Sequence, residues 1–348
     1  MDADELEPTV RPRRQPVMSD VGRLAGVSHQ TVSRVINGSR HVSPTTRERV
    51  LAAMRELDYR PNPIARALVT GRTRTIGVVS FDTTLYGPAS TLFGIERAAH
   101  EAGYFIVIAS LRALDSDSVV EAVQRLRVTG VDGVLVIVFD RAAAQAVLEV
   151  QADVPMVAVE AGPEHGVPVV AVDQRRGAIL ATRHLLDLGH ATVHHIAGPA
   201  DSLEAELRVQ GWADTLRAAA VRPSEPLIGD WSAGTGHRLG ARLARDGSVT
   251  AVFVGNDQMA LGLLRALHEA GRRVPEDISV VGFDDIPEAP FFTPPLTTVS
   301  QDFGQVGSRS LRVLVEAIES FAQGTQAPAG ALIPPELIVR SSSARAAH

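Results

Sequence analysis

The stretch GVSHQTVSRVING, residues 26–38, has the two-sided pattern of a short helix that packs with one face and exposes the other. Val32, Val35 and Ile36 recur at helical spacing and form an apolar stripe. The opposite stripe is polar without being acidic, and it consists of His29, Gln30, Ser33, Arg34 and Asn37. We therefore expect the apolar stripe to pack against neighbouring helices and the polar stripe to contact a binding partner.

Residues 18–58 around this stretch predict three short helices. Ser19, Ser28 and Ser43 are typical of positions where helices start. Gly26 allows a tight turn between the first two helices, and this arrangement predicts a helix-turn-helix. The predicted shared core consists of Val21, Leu24, Val32, Val35, Ile36, Val50, Leu51, Met54 and Leu57.

The charge of this segment differs from that of the remaining chain. Residues 11–74 contain thirteen Arg and four acidic residues, a net charge of +9, whereas the whole chain carries −6. A basic segment on an acidic chain indicates a polyanionic partner for that segment alone. In a helix-turn-helix the start of the second helix reaches base edges, where Gln pairs with adenine and Arg with guanine. An ordinary solvated helix face is the alternative interpretation.

The composition excludes several classes of enzyme. The sequence contains no Lys and no Cys, which excludes a Walker phosphate loop, thiolate zinc sites and cysteine nucleophiles. It also lacks the G-x-S-x-G and H-E-x-x-H motifs. We therefore expect no cofactor or metal.

The N-terminal segment, residues 1–17, opens acidic and has no apolar core. It therefore does not resemble a signal peptide, and we expect a disordered lead. No apolar run approaches the roughly 18 residues of a membrane span, so we expect a cytoplasmic protein.

From Thr75 the chain alternates short β-branched runs with amphipathic stretches that end in Gly. This alternation predicts parallel sheets covered by helices on both faces, and the length predicts two such lobes. In such folds ligands bind beyond the carboxyl ends of the strands. Between the two parts, Pro61 and Pro63 end the third helix and leave a linker with some helical potential.

Several separated motifs resemble one family of regulators. The segment MSDVGRLAGVSHQTVSRVINGSRHVSPTTRERVLAAMRELDYRPNPIARAL is similar to the DNA-binding head and hinge of the LacI/GalR family, and LRVQGW, GDWSA, NDQMALG, ISVVGFDD and PPLTTVSQDF extend the resemblance. The resemblance implies an all-α helix-turn-helix head and an α/β core of two doubly wound lobes, like a periplasmic binding protein. The implied domains are 1–17 as lead, 18–61 as head, 62–74 as hinge and linker, 75–172 with 304–331 as N-terminal lobe, 173–303 with 332–342 as C-terminal lobe, and 343–348 as tail.

The same resemblance implies which residues contact DNA. His29, Gln30 and Arg34 correspond to the base readers, and a hinge helix would run from Asn62 to Val69. Leu68 then falls where the family inserts a leucine into the minor groove. One member of the family has Tyr at the position of His29, so the operator half-site is expected to differ. The full implied set is Ser19, Ser28, His29, Gln30, Thr31, Ser33, Arg34, Asn37, His41, Ala65 and Leu68.

An effector site is implied at the strand ends of the core. Asn256 and Asp284 follow two apolar runs, and carboxylates and amides of this kind bind sugar hydroxyls. Taken singly, such residues also serve as helix caps, and a Trp as core. Glu204, near the pocket mouth, replaces a Ser of one family member, and Glu160 replaces its Asp. The full implied set is Phe81, Leu85, Pro88, Glu160, Arg208, Trp231, Asn256, Asp284, Gln301 and Phe303.

These features together predict a transcriptional repressor that is not an enzyme. We expect a homodimer that binds a palindromic operator and releases it when a sugar or glycoside binds between the lobes. The nearest alternative is a regulator of the same family with another ligand, such as a purine co-repressor. A sugar-binding module without DNA binding, a sugar- or nucleotide-processing α/β enzyme, and an activator are further alternatives.

Overall fold

The computed structural model describes residues 16–36, 41–60, 67, 71–81, 84–111, 116–138, 140–149, 153–160 and 166–346. The chain divides into two compact units, residues 1–73 and 74–348. Some predictions lie outside the described residues: most of the lead, the hinge helix except Ala67, and the DNA contacts Asn37, Ala65 and Leu68.

The described part of the first unit contains three helices: α1 Met18–Ala25, α2 His29–Ile36 and α3 Pro44–Glu56. Their core is built from Val21, Ala25, Val32, Val35, Val50 and Ala53. The prediction of Leu24 and Leu51 as core residues was wrong, because these side chains are 45% and 42% exposed. Alanines take the interior positions of α1 and α3 since such short helices pack closely around a small core.

The caps of these helices confirm two of the three predicted starts. Ser28 and Ser43 each accept a hydrogen bond from the backbone N–H three residues later, at 3.2 Å. Helix α1 instead begins at Met18, so Ser19 lies inside it. The carboxylate of Asp20 accepts a bond from the N–H of Val17 at 3.0 Å and provides the cap there.

The turn between α1 and α2 is a helix-turn-helix turn. Gly26 adopts a left-handed conformation with φ +64° at the end of α1, a conformation that Gly adopts without a Cβ penalty. The guanidinium of Arg49 on α3 donates to the carbonyl of Ala25 at 2.7 Å. The third helix therefore holds the turn in place.

The second unit contains two lobes, each built on a six-stranded sheet. The first sheet has the order β11-β5-β4-β3-β1-β2, and all its neighbouring strands are parallel. Its strands are β1 Thr75–Ser80, β2 Phe105–Ser110, β3 Gly133–Ile137, β4 Met156–Val159, β5 Val169–Val172 and β11 Ala331–Ile333. Its helices are α4 Tyr86–Glu101, α5 Ser116–Thr129, α6 Arg141–Glu149 and α11 Phe303–Gln323. Apolar clusters from α4 with α11, and from α5 with α6, cover its two faces.

The second sheet has the order β12-β10-β9-β8-β6-β7. Its strands are β6 His194–Ala197, β7 Leu227–Ile228, β8 Ala251–Val254, β9 Ser279–Asp284, β10 Thr297–Ser300 and β12 Glu336–Ile338. Its helices are α7 Gln174–Asp187, α8 Leu203–Ala218, α9 Ala233–Leu243 and α10 Asp257–Glu269, and a short 3-10 turn spans Ala289–Phe291. Helices α9 and α10 cover one face, and α7 and α8 cover the other.

The predicted fold class is thus confirmed, with one difference in the second sheet: strand β12 runs antiparallel to β10. The chain also stays in the first sheet through Ile333, past the predicted boundary at 331, because β11 pairs with β5 up to that residue. Among the described residues, no helix is long and apolar enough to cross a membrane.

Candidate functional site

Helix α2 presents the predicted polar face to solvent. His29, Gln30 and Arg34 are exposed, whereas Val32 and Val35 are buried against the other helices. The hydroxyl of Thr31, also predicted to contact DNA, lies 3.0 Å from that of Ser28 at the helix start. The arrangement leaves long donor side chains free to project from the first two turns of the helix.

A cavity of about 270 Å³ lies in the core unit, between the two lobes. Its walls are formed where strands β1, β3, β6, β8, β9 and β10 end, which is the binding edge of such sheets. Eight predicted effector residues line it: Phe81, Leu85, Pro88, Arg208, Trp231, Asn256, Asp284 and Gln301.

Two predicted effector residues do not line this cavity. Phe303 packs edge-on against Tyr86, with 5.8 Å between the ring centroids. Glu160 is buried at 4% exposure, where it accepts a hydrogen bond from the N–H of Val172 at 3.1 Å. Both side chains lie behind the cavity wall. The sequence places a residue near a strand end, but it does not determine the direction of the side chain, so these two contacts were predicted wrongly.

Other lining residues were missed by the sequence analysis. They follow strands in the same way as the predicted residues, so the same rule applied to every strand would have found most of them. They are Tyr86, Gly87, Asp140, Pro199, Asp201, Ser202 and Gln258. Glu204, which the sequence analysis placed near the pocket mouth without counting it among the effector contacts, also lines the cavity.

Arg208 on α8 is the centre of a buried hydrogen-bond network. Its side chain is 2% exposed, and its Nε donates to Oε1 of Gln174 at 2.9 Å. Its Nη1 donates to the carbonyl of Gly255 at 2.5 Å, and its Nη2 to Oε2 of Glu204 at 3.2 Å. Three of the five N–H groups of the guanidinium are thus engaged within the protein, which leaves two for a ligand.

The network continues through the segments that connect the lobes. Gln174 follows β5, and its Nε2 donates to Oε1 of Gln301 at 2.8 Å. Gln301 follows β10, and its Nε2 donates to Oδ1 of Asp284 at 2.7 Å. A ligand that contacts Asp284 or Gln301 is therefore linked by hydrogen bonds to two of the chain crossings between the lobes.

Asn256 acts as a helix cap as well as a lining residue. Its Oδ1 accepts from the N–H of Met259 at the start of α10 at 2.9 Å, and its Nδ2 donates to the carbonyl of Trp231 and to Gln258. The side chain therefore has both its donors engaged. It can offer a ligand one oxygen lone pair.

The backbone is strained at two lining residues. Trp231 has φ 70° and Asp284 has φ 112°, values that side-chain-bearing residues rarely adopt. A Cβ added at Gly198 would lie 2.1 Å from the ring of Trp231, so only Gly fits beneath this indole. Such conformations persist where the surrounding structure enforces them, and they are typical of functional sites.

Burial perturbs the acids around this network. It raises the pKa of Asp284 well above its usual range and raises that of Glu204, while the nearby Arg208 lowers both. It raises the pKa of Glu160 to about 8, with repulsion from Glu204 adding to the effect. Burial therefore favours the protonated form of these carboxyl groups, and Arg208 opposes this effect at Asp284 and Glu204.

Two family models match the chain. Residues 17–62 match bacterial regulatory proteins of the lacI family, and residues 182–343 match a periplasmic binding protein-like domain. The lactose operon repressor of Escherichia coli (strain K12) is 36% identical over 326 residues, which cover 93% of this chain and 89% of the repressor. This chain belongs to the LacI family of DNA-binding transcriptional repressors.

Other family members confirm this assignment. The repressor PurR of Haemophilus influenzae (strain Rd) is 34% identical over 93% of this chain and 98% of its own length. A structure of the lac repressor dimer bound to operator and the anti-inducer ONPF has a TM-score of 0.82 at 35% identity, covering 95% of this chain and all of the other. The regulator CelR with cellobiose has a TM-score of 0.69 at 34% identity, covering 94% and 99%. These relatives are regulators, so the prediction that the chain is not an enzyme is confirmed.

Proposed function

We propose that this LacI-family repressor binds a palindromic operator as a homodimer and releases it when a sugar or glycoside binds between the lobes of its core. The observation that carries the effector class is the cavity between the lobes, which combines aromatic side chains with carboxyl and amide groups. Release requires that the sugar bind the DNA-free arrangement more tightly than the DNA-bound one.

The exposed face of α2 supports the DNA contacts of this proposal. Gln30 and Arg34 have the donor geometry for adenine and guanine edges, and His29 adds a further donor or acceptor. The start of α2, with Ser28 and Thr31, suits contacts to phosphates. The proposed hinge residues Ala65 and Leu68 would act in the minor groove between two half-sites.

An exposed apolar groove on the first lobe supports self-association. It includes Phe93 of α4, which is 66% exposed, and Phe105 and Ile108 of β2, the strand at the edge of the first sheet. Exposed apolar grooves of this kind are typical of protein interfaces. The structural relative bound to operator is itself a dimer, and a second copy of this chain is the proposed partner.

The chemistry of the cavity supports a sugar. Trp231 and Phe81 supply apolar faces for a pyranose ring, and Asp284, Asn256 and Arg208 supply acceptors and donors for its hydroxyls. The structure of the related regulator CelR in complex with cellobiose supports this choice.

A purine co-repressor is the second candidate. The similarity to PurR favours it, and Phe81, Tyr86 and Trp231 would stack on a planar base as well as on a sugar. The two candidates predict opposite effects, because an inducer weakens operator binding and a co-repressor strengthens it.

Fluorescence anisotropy distinguishes these functions. A duplex from the region upstream of the gene is titrated with the full-length protein, alone and with galactosides, glucosides, free sugars and purines. We expect tight binding that one sugar abolishes. Stronger binding with a purine would support the second candidate, and absence of binding to any palindromic duplex would contradict the proposal.

A further inference from the structure

Acidic side chains outnumber basic ones around the cavity. Four carboxyl groups line it, those of Asp140, Asp201, Glu204 and Asp284, and Arg208 is the only basic residue in the described lining. Arg208 contacts Glu204 and lies 3.9 Å from Asp284, and burial raises the pKa of both acids, so the acidity that no basic side chain balances belongs to Asp140 and Asp201. A neutral sugar would form hydrogen bonds with these two groups but would not pair with them as a cation does.

The positive charge of the single guanidinium is already paired within the protein. Arg208 contacts Glu204, and its guanidinium carbon lies 3.9 Å from the ring centroid of Phe283. Two further arginines near the cavity also form ion pairs. Arg141, next to Asp140, pairs with Glu206 at 2.6 Å, and Arg340 pairs with Asp285, next to Asp284, at 2.7 Å. Asp140 accepts a hydrogen bond from the N–H of Ala143 at the start of α6, and Asp201 is exposed to solvent. Neither carboxyl forms an ion pair with a basic side chain among the described residues, so both can pair with a cationic ligand.

These acids belong to opposite lobes. Asp140 follows β3 of the first lobe, and its backbone pairs with Ser202 at the start of α8 in the second lobe. Asp201 precedes Ser202, so the pairing brings carboxyl-bearing residues of both lobes to one place. Like charges there oppose closure of the cleft, whereas a cation between them favours it.

The same cavity offers aromatic surfaces to a cation. Phe81, Tyr86 and Trp231 are part of its lining. The faces of aromatic rings attract ammonium groups, most strongly where water is excluded. The cavity thus combines the two features by which proteins bind amines, carboxylates and aromatic rings.

We propose that the effector carries a protonated amine, as an amino sugar or an amine-bearing glycoside does, and that the amine binds between Asp140 of the first lobe and Asp201 and Glu204 of the second. This inference rests on the proposed function, because it takes the cavity as the effector site.

Isothermal titration calorimetry of the full-length protein tests this with matched pairs of sugars. The pairs are D-glucosamine with D-glucose, D-galactosamine with D-galactose, and the diamino analogue of cellobiose with cellobiose, with the N-acetylated sugars as uncharged amines. We expect one amine to bind at least tenfold more tightly than its hydroxyl and N-acetyl counterparts.

Two isosteric variants locate the amine. Asp140→Asn keeps the oxygen that accepts from Ala143, and Glu204→Gln keeps the oxygen that accepts from Arg208. Each should reduce the preference for the amine at least fivefold, whereas Glu225→Gln, at an exposed site of the same lobe as Glu204, should leave it unchanged.

Three outcomes of these titrations would overturn the inference. If a neutral sugar binds as tightly as its amine and releases the operator, the amine is not recognised but the proposed function stands. If none of the amines binds, the inference is wrong. If only a purine binds, both the sugar effector and the amine are excluded.

Discussion

Single residues show how burial changes the chemistry of the core, and Glu160 is the clearest case. It lies at the end of β4 with a positive φ of 62°, and its Oε1 has no hydrogen-bond partner among the described residues. Burial is the main cause that raises the pKa of this carboxyl to about 8. The native protein therefore binds a proton there at neutral pH, whereas the unfolded chain releases it above its ordinary pKa of 4.5.

This difference predicts the pH dependence of a Glu160→Gln variant. For an acid whose pKa is raised by folding, stability is present below the unfolded pKa and is lost as pH rises toward the folded pKa. The variant does not titrate, so it should be more stable than the natural protein at pH 9, by roughly 2 to 4 kcal/mol, and little different at pH 4.5. Urea unfolding at the two pH values measures the gain.

The exposed Glu225→Gln serves as the control for this variant, because its carboxyl lies in solvent in both states. It should change stability equally little at pH 4.5 and pH 9. An equal effect of Glu160→Gln at both pH values would contradict the buried, protonated carboxyl.

Residue positions were predicted from the sequence more successfully than side-chain directions. Asp284 and Asn256 line the cavity because parallel strands end at one edge, a rule that needs only the order of runs along the chain. Glu160 and Phe303 also follow strands, but their side chains lie behind the wall. The direction of a side chain depends on the backbone angle φ and on packing partners that are distant in sequence. Local sequence patterns do not contain that information.

At the scale of elements, helix α2 carries the DNA-reading hypothesis. Its hydrophobic period predicted both the buried stripe and the exposed polar stripe, since one helix face repeats every 3.6 residues. The core-facing sides of the neighbouring helices α1 and α3 were predicted less well. Ala25 and Ala53 face the core, whereas Leu24 and Leu51 are exposed. The antiparallel strand β12 could not be predicted either, because a strand of three residues is too short to show a hydrophobic alternation.

Substitution of Arg34 tests the role of α2. Arg34→Ala should weaken binding to the operator at least tenfold, since a bidentate contact from Arg to guanine is worth about 1 to 3 kcal/mol and a dimer loses two. It should also reduce discrimination at one base pair of each half-site. Anisotropy with the natural duplex and with duplexes changed at single positions measures both effects.

Arg245→Ala removes the same charge from an exposed site of the core unit and is the matched control. It should leave operator affinity within about twofold of the natural protein. If Arg34→Ala behaves like Arg245→Ala, helix α2 does not read bases.

At the scale of the whole molecule, the core is built to link its lobes to a ligand. The hydrogen-bonded series from Asp284 through Gln301 and Gln174 to Arg208 joins two chain crossings directly to the cavity. The ion pair of Arg141 with Glu206 connects the lobes at the cavity rim. A ligand that changes the separation of the lobes must therefore rearrange several bonds together, and packed interfaces of this kind have discrete states.

The central claim, that the effector and the operator bind competing states of one molecule, is tested most directly by thermodynamic reciprocity. The affinity for the sugar that releases the operator is measured by calorimetry with free protein and with the protein–operator complex. The account predicts that the operator weakens sugar binding by the same factor by which the sugar weakens operator binding, on the order of 5 to 150-fold. Equal affinity for the sugar in the presence and absence of operator would contradict the account.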